Sequence, residues 1–197
     1  MDQRKNKKLG VKDLMTVGIF ATIYLVVKII VGFLGVIPII CLILPLFTSI
    51  VGGIVYMLFI TKVDKFGMIT LMATVVGAVM FIAGYMWPTL VASFACGLVA
   101  DVISMTGGYK KFGTILAGYC VFSEWGVAML LPIWMQGDEY FKNLSATMGQ
   151  SFADGFRVLT PPWIIPVLMA AVVVAAIIGG FLGRSIMKKH FERSGII

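Results

Sequence analysis

Polar residues interrupt this chain at intervals, and the stretches between them are apolar on every side. Such runs predict helices over residues 14–34, 37–60, 66–84, 87–106, 112–135 and 163–187. Each approaches or exceeds the roughly 20 residues needed to cross a hydrocarbon layer. Two joints are very short, Gly35 to Pro38 and Gly84 to Pro88, where Gly and Pro end helices with little exposed backbone. Residues 136–162 follow another rule. Phe141, Leu144, Met148, Phe152 and Phe156 recur every three or four positions, with Lys142, Asn143, Gln150 and Asp154 between them. That period predicts an amphipathic helix, ended by Pro161 and Pro162. It reads either as a helix resting on the membrane surface or as a lid over a cavity between the last helices, since long connections in compact domains tend to be functional.

Composition places the whole chain in one membrane domain. Of the 197 residues 60% are hydrophobic and 13% charged, with a mean hydropathy of +1.02, whereas a soluble globule carries about 25% charged residues. All of the 16 Lys and Arg residues except Lys28, Lys142 and Arg157 fall in four patches: Arg4 to Lys12, Lys62 with Lys65, Lys110 with Lys111, and Arg184 to Arg193. Two predicted spans separate each patch from the next, so all four lie on one side. Basic loops stay in the cytoplasm. The expectation is six transmembrane helices in a bacterial plasma membrane, with a basic cytoplasmic N-terminus (1–12) and a basic cytoplasmic tail (188–197). The short joints and the 136–162 segment then lie outside. Insertion bias and anionic lipid explain the net charge of +7, and nucleic acid is not a partner. A basic stretch before an apolar one resembles a signal peptide, yet no small-residue cleavage site follows, so the first helix is read as retained.

Ionisable groups inside the spans are few and carry most of the chemical information, because a charge at the bilayer centre costs roughly 2.5 to 3.5 kcal/mol. Glu124 stands at the middle of the fifth span, flanked by Ser123 and Trp125. It is either a buried carboxyl that is protonated or paired with Lys28, or a group that meets a ligand or carries a proton. Lys28, in the outer half of the first span, reads as a side chain that snorkels or pairs in preference to one that binds substrate. Asp101, about one turn from the cytoplasmic end of the fourth, reads as structural, within reach of water or of Lys110 and Lys111. Aromatics gather at the outer ends: Tyr85, Trp87, Trp134, Tyr140 and Trp163. An interfacial belt accounts for some of them. The same residues, with Met86, Met129 and Met135, would line the mouth of an outward-opening cavity, and flat aromatic walls with a few polar groups suit a small organic ligand.

Catalytic constellations are missing from the sequence. The only histidine is His190 in the basic tail, the three cysteines (Cys41, Cys96, Cys120) have no CxxC spacing, and no Walker loop occurs. The chain is expected to be neither an enzyme nor a metal or cofactor protein, so uphill movement would draw on a partner or an ion gradient. Small residues supply two further faces. Gly18 and Thr22, with Ala21 beside them, offer a surface on the first span that could meet another membrane protein. Gly179 and Gly183 on the sixth read as packing within the bundle.

The sequence resembles the substrate-binding S components of energy-coupling factor transporters, and within them a streptococcal and treponemal group, the MptD-like S components. The resemblance rests on KDLMTVGIFATIYLVV, LPLFTSIVGG with MLFITKV, the GYMWP turn, GLVADVI followed by GGYKKFGTILAGYCVFS, TPPWIIPVL, and GGFLGRSIMKKHFERSGI, in that order over nearly the whole chain. It implies the specificity subunit of an ABC-type importer that captures a small organic micronutrient outside and docks on a transmembrane coupling protein with two ATPases. By the resemblance, docking falls to Gly18, Ala21 and Thr22, a degenerate form of the small-residue motif. Substrate contacts fall in the outer half of the bundle, where Tyr85, Trp87, Glu124, Trp125, Met129 and Trp163 lie, under a lid carrying Phe141, Leu144, Met148 and Phe152. A vitamin ring and a tetrapyrrole such as heme both fit that wall. A standalone carrier using Glu124 and Lys28 as a proton relay, and an assembly subunit that binds no small molecule, are the competing readings.

Overall fold

Segments with no polar face bury one side against protein and offer the other to lipid. The structure, a computed structural model that describes residues 9–193, folds them into helices α1 (Val11–Gly32), α2 (Pro38–Ile60), α3 (Met68–Ile82), α4 (Trp87–Thr106), α5 (Phe112–Ser123), α6 (Trp125–Ala128), α7 (Pro132–Gln136), α8 (Asp138–Met148), α9 (Gln150–Leu159) and α10 (Ile164–Arg193). Five helical stretches are long and apolar enough to cross a membrane; α5 to α7 together form the fourth of them, Phe112–Gln136. The shorter α3 has 15 residues. The spans form a closed ring in the order α1, α2, α10, α5, α4, α3 and back to α1.

The tightest seam in the ring is between α2 and α10, and small residues make it possible. A methyl group on Gly179 would collide with the Ser49 and Ile50 backbone, and one on Gly53 with the backbone of Gly179. At Gly183 it would stand 2.7 Å from the Gly53 carbonyl. The expected internal role of Gly179 and Gly183 is the one observed. Across the middle, the buried rings of Tyr56, Tyr119 and Phe122 pack together, with Tyr56 4.7 Å from Tyr119 and 5.0 Å from Phe122. Tyr119 donates its hydroxyl to the Ser49 carbonyl, which joins α5 to α2 at the same level.

The basic patches meet at one end of the ring. Lys65 donates to Asp13 at 2.6 Å, and the same carboxylate oxygen accepts the Gly10 N–H at 2.7 Å at the start of α1. Arg184 lies over the Phe112 ring at 4.3 Å. Asp101, 0% exposed, bonds to neither Lys110 nor Lys111. Its Oδ2 instead accepts the N–H groups of Gly67 (2.9 Å) and Thr70 (3.0 Å) and the Thr70 hydroxyl (3.0 Å), while Oδ1 accepts the Tyr109 hydroxyl at 2.7 Å. A side chain of α4 thereby satisfies donors at the N-terminus of α3 that have no partner within their own helix, and fixes the 107–111 turn in the same stroke.

Three expectations need correction. The 136–162 segment is two helices, because Gly149 at φ +90° lets the chain turn between α8 and α9. The fifth run is broken after Ser123. The basic tail begins no separate segment at 188, since α10 continues through Arg193. The outer parts of both basic termini, 1–8 and 194–197, lie outside the described residues.

Replacing Asp101 with Ala strands several donors at once, each worth on the order of 1 kcal/mol. Asp101→Ala is expected to lower stability by about 3 kcal/mol, read as an earlier unfolding midpoint in detergent. Gly18→Leu, at a position where an added Cβ meets nothing within 4 Å, is expected to leave that midpoint unchanged.

Candidate functional site

Backbone that leaves the α pattern at membrane depth is tolerated only where protein or a cavity shelters it, so the irregular stretches of α2 and of the fifth run mark the place to look. Pro45 lies inside α2 and has no N–H, which takes the helical partner from the Cys41 carbonyl. Beyond Val121 the fifth run tightens to three-residue hydrogen bonds: Glu124 N–H to the Val121 carbonyl, Val127 to Glu124, Leu130 to Val127 and Trp134 to Leu131. Stretches of this 3₁₀ kind within longer helices often mark functional sites. The two irregular places touch, since a methyl on Gly126 would stand 3.4 Å from Pro45.

Beside them lies a cavity of about 410 Å³. Lys28 and Ile29 of α1, Val79 and Met80 of α3, and Leu44 and Thr48 of α2 form its sides. Gly126, Met129 and Leu130 of the broken run close a further wall, and Tyr85 stands at the joint between α3 and α4. Tyr140 of α8 and Phe156 of α9 belong to the same lining, so the two short helices form its roof. Burial raises both phenols, Tyr140 to about 12, which leaves both neutral and able to donate near pH 7. Apart from these phenols, Lys28 and Thr48, the walls are largely apolar, the usual makeup of a small-molecule site.

The roof is held from inside. Phe152 and Phe156 stack at 6.0 Å and are buried with Leu42, Leu130, Leu168 and Val172. Arg157 joins the two roof helices, donating to Asp138 at 2.8 Å and covering the Phe141 ring at 4.4 Å. Trp134 Nε1–H donates to the Thr160 carbonyl at 3.1 Å, tying the end of α9 to α7.

Of the residues expected to meet substrate, Tyr85 and Met129 line the cavity. Trp125 is buried beside it, its ring under the Lys28 ammonium at 4.2 Å. Glu124 lies elsewhere: its oxygens are buried with no hydrogen-bond partner among the described residues, near Cys96 and Cys120. Lys28 and Glu124 therefore do not pair. Trp87 and Trp163 are 55% and 65% exposed and do not line the cavity. Of the residues expected in a lid, Phe152 is buried, Phe141 and Leu144 pack against the same cluster, and Met148 is exposed. On α1, Gly18 and Thr22 face outward, whereas Ala21 is 1% exposed and turned into the core, so it is not part of that outer face. Pro45 and Gly126 carried no functional sign in the sequence, and a proline inside an apolar run was the available cue.

A larger hollow, about 810 Å³, opens at the basic end between the 61–66 and 107–112 connections and α10, with Asp64, Lys110 and Arg184 among its lining. It is a cleft between loops, and neither Pro45 nor the tightened stretch from Val121 to Trp134 lines it. The smaller cavity is the better candidate site.

A family model described as a hypothetical bacterial integral membrane protein, Trep_Strep, matches residues 11–193. The chain belongs to that family. No curated protein and no solved structure matches it.

Trp134→Phe keeps the ring contact and removes one donor, at a cost of about 1 kcal/mol. Amide exchange across α9 is expected to quicken roughly fivefold by mass spectrometry, and unchanged exchange would show that this bond does not hold the roof.

Proposed function

We propose that this Trep_Strep protein is the substrate-capturing subunit of an energy-coupling factor importer in a bacterial plasma membrane. The observation that carries the reading is the roofed, mostly apolar cavity beside the broken fifth span, at the end of the ring opposite the basic patches. Basic ends stay in the cytoplasm, so the cavity opens outward, both termini are cytoplasmic, and α8 with α9 forms an extracellular lid. Six segments cross the membrane. The 15-residue α3 reaches about 22 Å at 1.5 Å per residue, and its flanking turns complete the passage.

The cycle has two states. A small organic nutrient enters while the lid is raised and settles against Met129, Tyr85 and Tyr140. The lid closes as Phe152 and Phe156 seat in their apolar cluster. The loaded ring then topples against a transmembrane coupling protein, meeting it through Gly18 and Thr22, and two partner ATPases supply the energy. This chain performs no catalytic step. The resemblance of its motifs to S components supports the partners, and the outer face of α1 supports the contact: Gly18 is open, and the Thr22 hydroxyl is folded back onto the Gly18 carbonyl at 2.9 Å, which presents a nearly apolar ridge. A standalone carrier with a Lys28 to Glu124 proton relay finds no support, because the two groups face different neighbours.

The test separates the two surfaces. In cells that also express the coupling protein and both ATPases, Gly18→Leu is expected to reduce recovery of the partners on a tag attached to this chain at least tenfold, while the isolated subunit keeps its ligand. Met129→Trp, which fills the cavity, is expected to do the reverse. Loss of neither property in either variant would overturn the reading.

A further inference from the structure

Lys28 is the one basic side chain on the cavity wall, and the wall has no carboxylate among its lining residues to balance it. The ammonium brings three donors. Among the described residues its recorded partner is the face of Trp125, 4.2 Å from the ring centroid, and no hydrogen bond or ion pair joins it to another side chain. A ring face is a weak partner for a cation and offers its three N–H donors no oxygen acceptor. Snorkelling would have relieved the imbalance. Lys28 stands one turn from the end of α1 at Gly32, close enough to reach the interface, yet its side chain lines the cavity instead. Glu124, the acid expected to pair with it, does not.

We propose, resting on the reading of this cavity as the substrate site, that its occupant is a small, largely apolar or aromatic organic anion whose carboxylate or phosphate sits on Lys28. The remaining polar groups fit that assignment. The Tyr85 and Tyr140 phenols are neutral donors, so together with Lys28 the wall offers donors to an acceptor-rich group. Met129, Met80, Leu44 and Phe156 receive the apolar body. Trp125 under the ammonium fixes its position, so the charge is preorganised before the ligand arrives. Cationic ligands are excluded by the same ammonium.

Such an anion could come from water or from the bilayer as a lipid headgroup. The proposal is the water-soluble one, because the roof residues Tyr140 and Phe156 belong to the segment 138–159 beyond the membrane spans.

The experiment uses the full chain in phosphatidylcholine nanodiscs, with empty nanodiscs as background. Three probes of one shape are compared by equilibrium dialysis: 2-naphthoate, its neutral amide 2-naphthamide, and the cation 2-(aminomethyl)naphthalene. Wild type is expected to bind naphthoate at least tenfold more tightly than the amide and to reject the cation. Lys28→Met is expected to abolish that preference, and Lys28→Arg to retain most of it. Equal binding of naphthoate and amide, with both lost in Met129→Trp, would overturn the anion assignment and leave the cavity standing. Binding of no probe, or binding indifferent to Met129→Trp, would overturn the cavity and this proposal with it. Competitive loss of naphthoate when phosphatidylglycerol is added to the nanodiscs would overturn the water-soluble assignment in favour of a lipid headgroup.

Discussion

A peptide group in hydrocarbon has no water to bond, so every N–H and C=O at membrane depth must find its partner inside the protein. The rest of this structure follows from that constraint. It makes the apolar runs helical, keeps the joints at 33–37 and 83–86 short, and permits irregular backbone only where something shelters it. The two exceptions, Pro45 in α2 and the tightened stretch from Val121 to Trp134, face each other and a common cavity. α2 remains one continuous helix that lacks a single hydrogen bond at Pro45, and the cavity lies beside that position and the tightened run.

The same constraint explains how the ends are treated. Donors at the start of α3 are answered by Asp101 from α4, which turns a helix end into a tertiary link. At the opposite end the short helices α8 and α9 take little stability from their own backbone and depend on Phe152, Phe156 and the Trp134 bond for their place. One end of the ring is thus tied by a buried carboxylate, and the other is covered by short helices held by apolar contacts and the Trp134 hydrogen bond. That asymmetry is in keeping with the proposed capture role.

Helix positions were largely legible in the sequence, because a full-circumference apolar run followed by a basic patch has few other meanings. The α2 to α10 seam was legible from Gly179 and Gly183, though their partner Gly53 was not, since spacing within one helix says nothing about its neighbour. Register around an apolar helix was harder: Ala21, adjacent to Thr22, turned out to face the core, and an all-apolar run carries no polar stripe to orient it. The same limit hid Lys28. Its sequence neighbours gave no hint that it would lie over Trp125 in the cavity wall, while Trp87 and Trp163, prominent in the sequence, stand at the exposed rim. The single amphipathic period from Phe141 to Phe156 concealed the turn at Gly149, where one positive φ splits the helix without disturbing the apolar spacing on either side.

The central claim is that the space under α8 and α9 holds the cargo. The most direct measurement is the electron density of the full chain purified, with whatever it carries, from the membranes that express it and reconstituted in nanodiscs. The account predicts density between Lys28, Met129 and Tyr140, under a closed roof. Density in the hollow between Asp64, Lys110 and Arg184, with the roofed cavity filled by collapsed side chains, would contradict it.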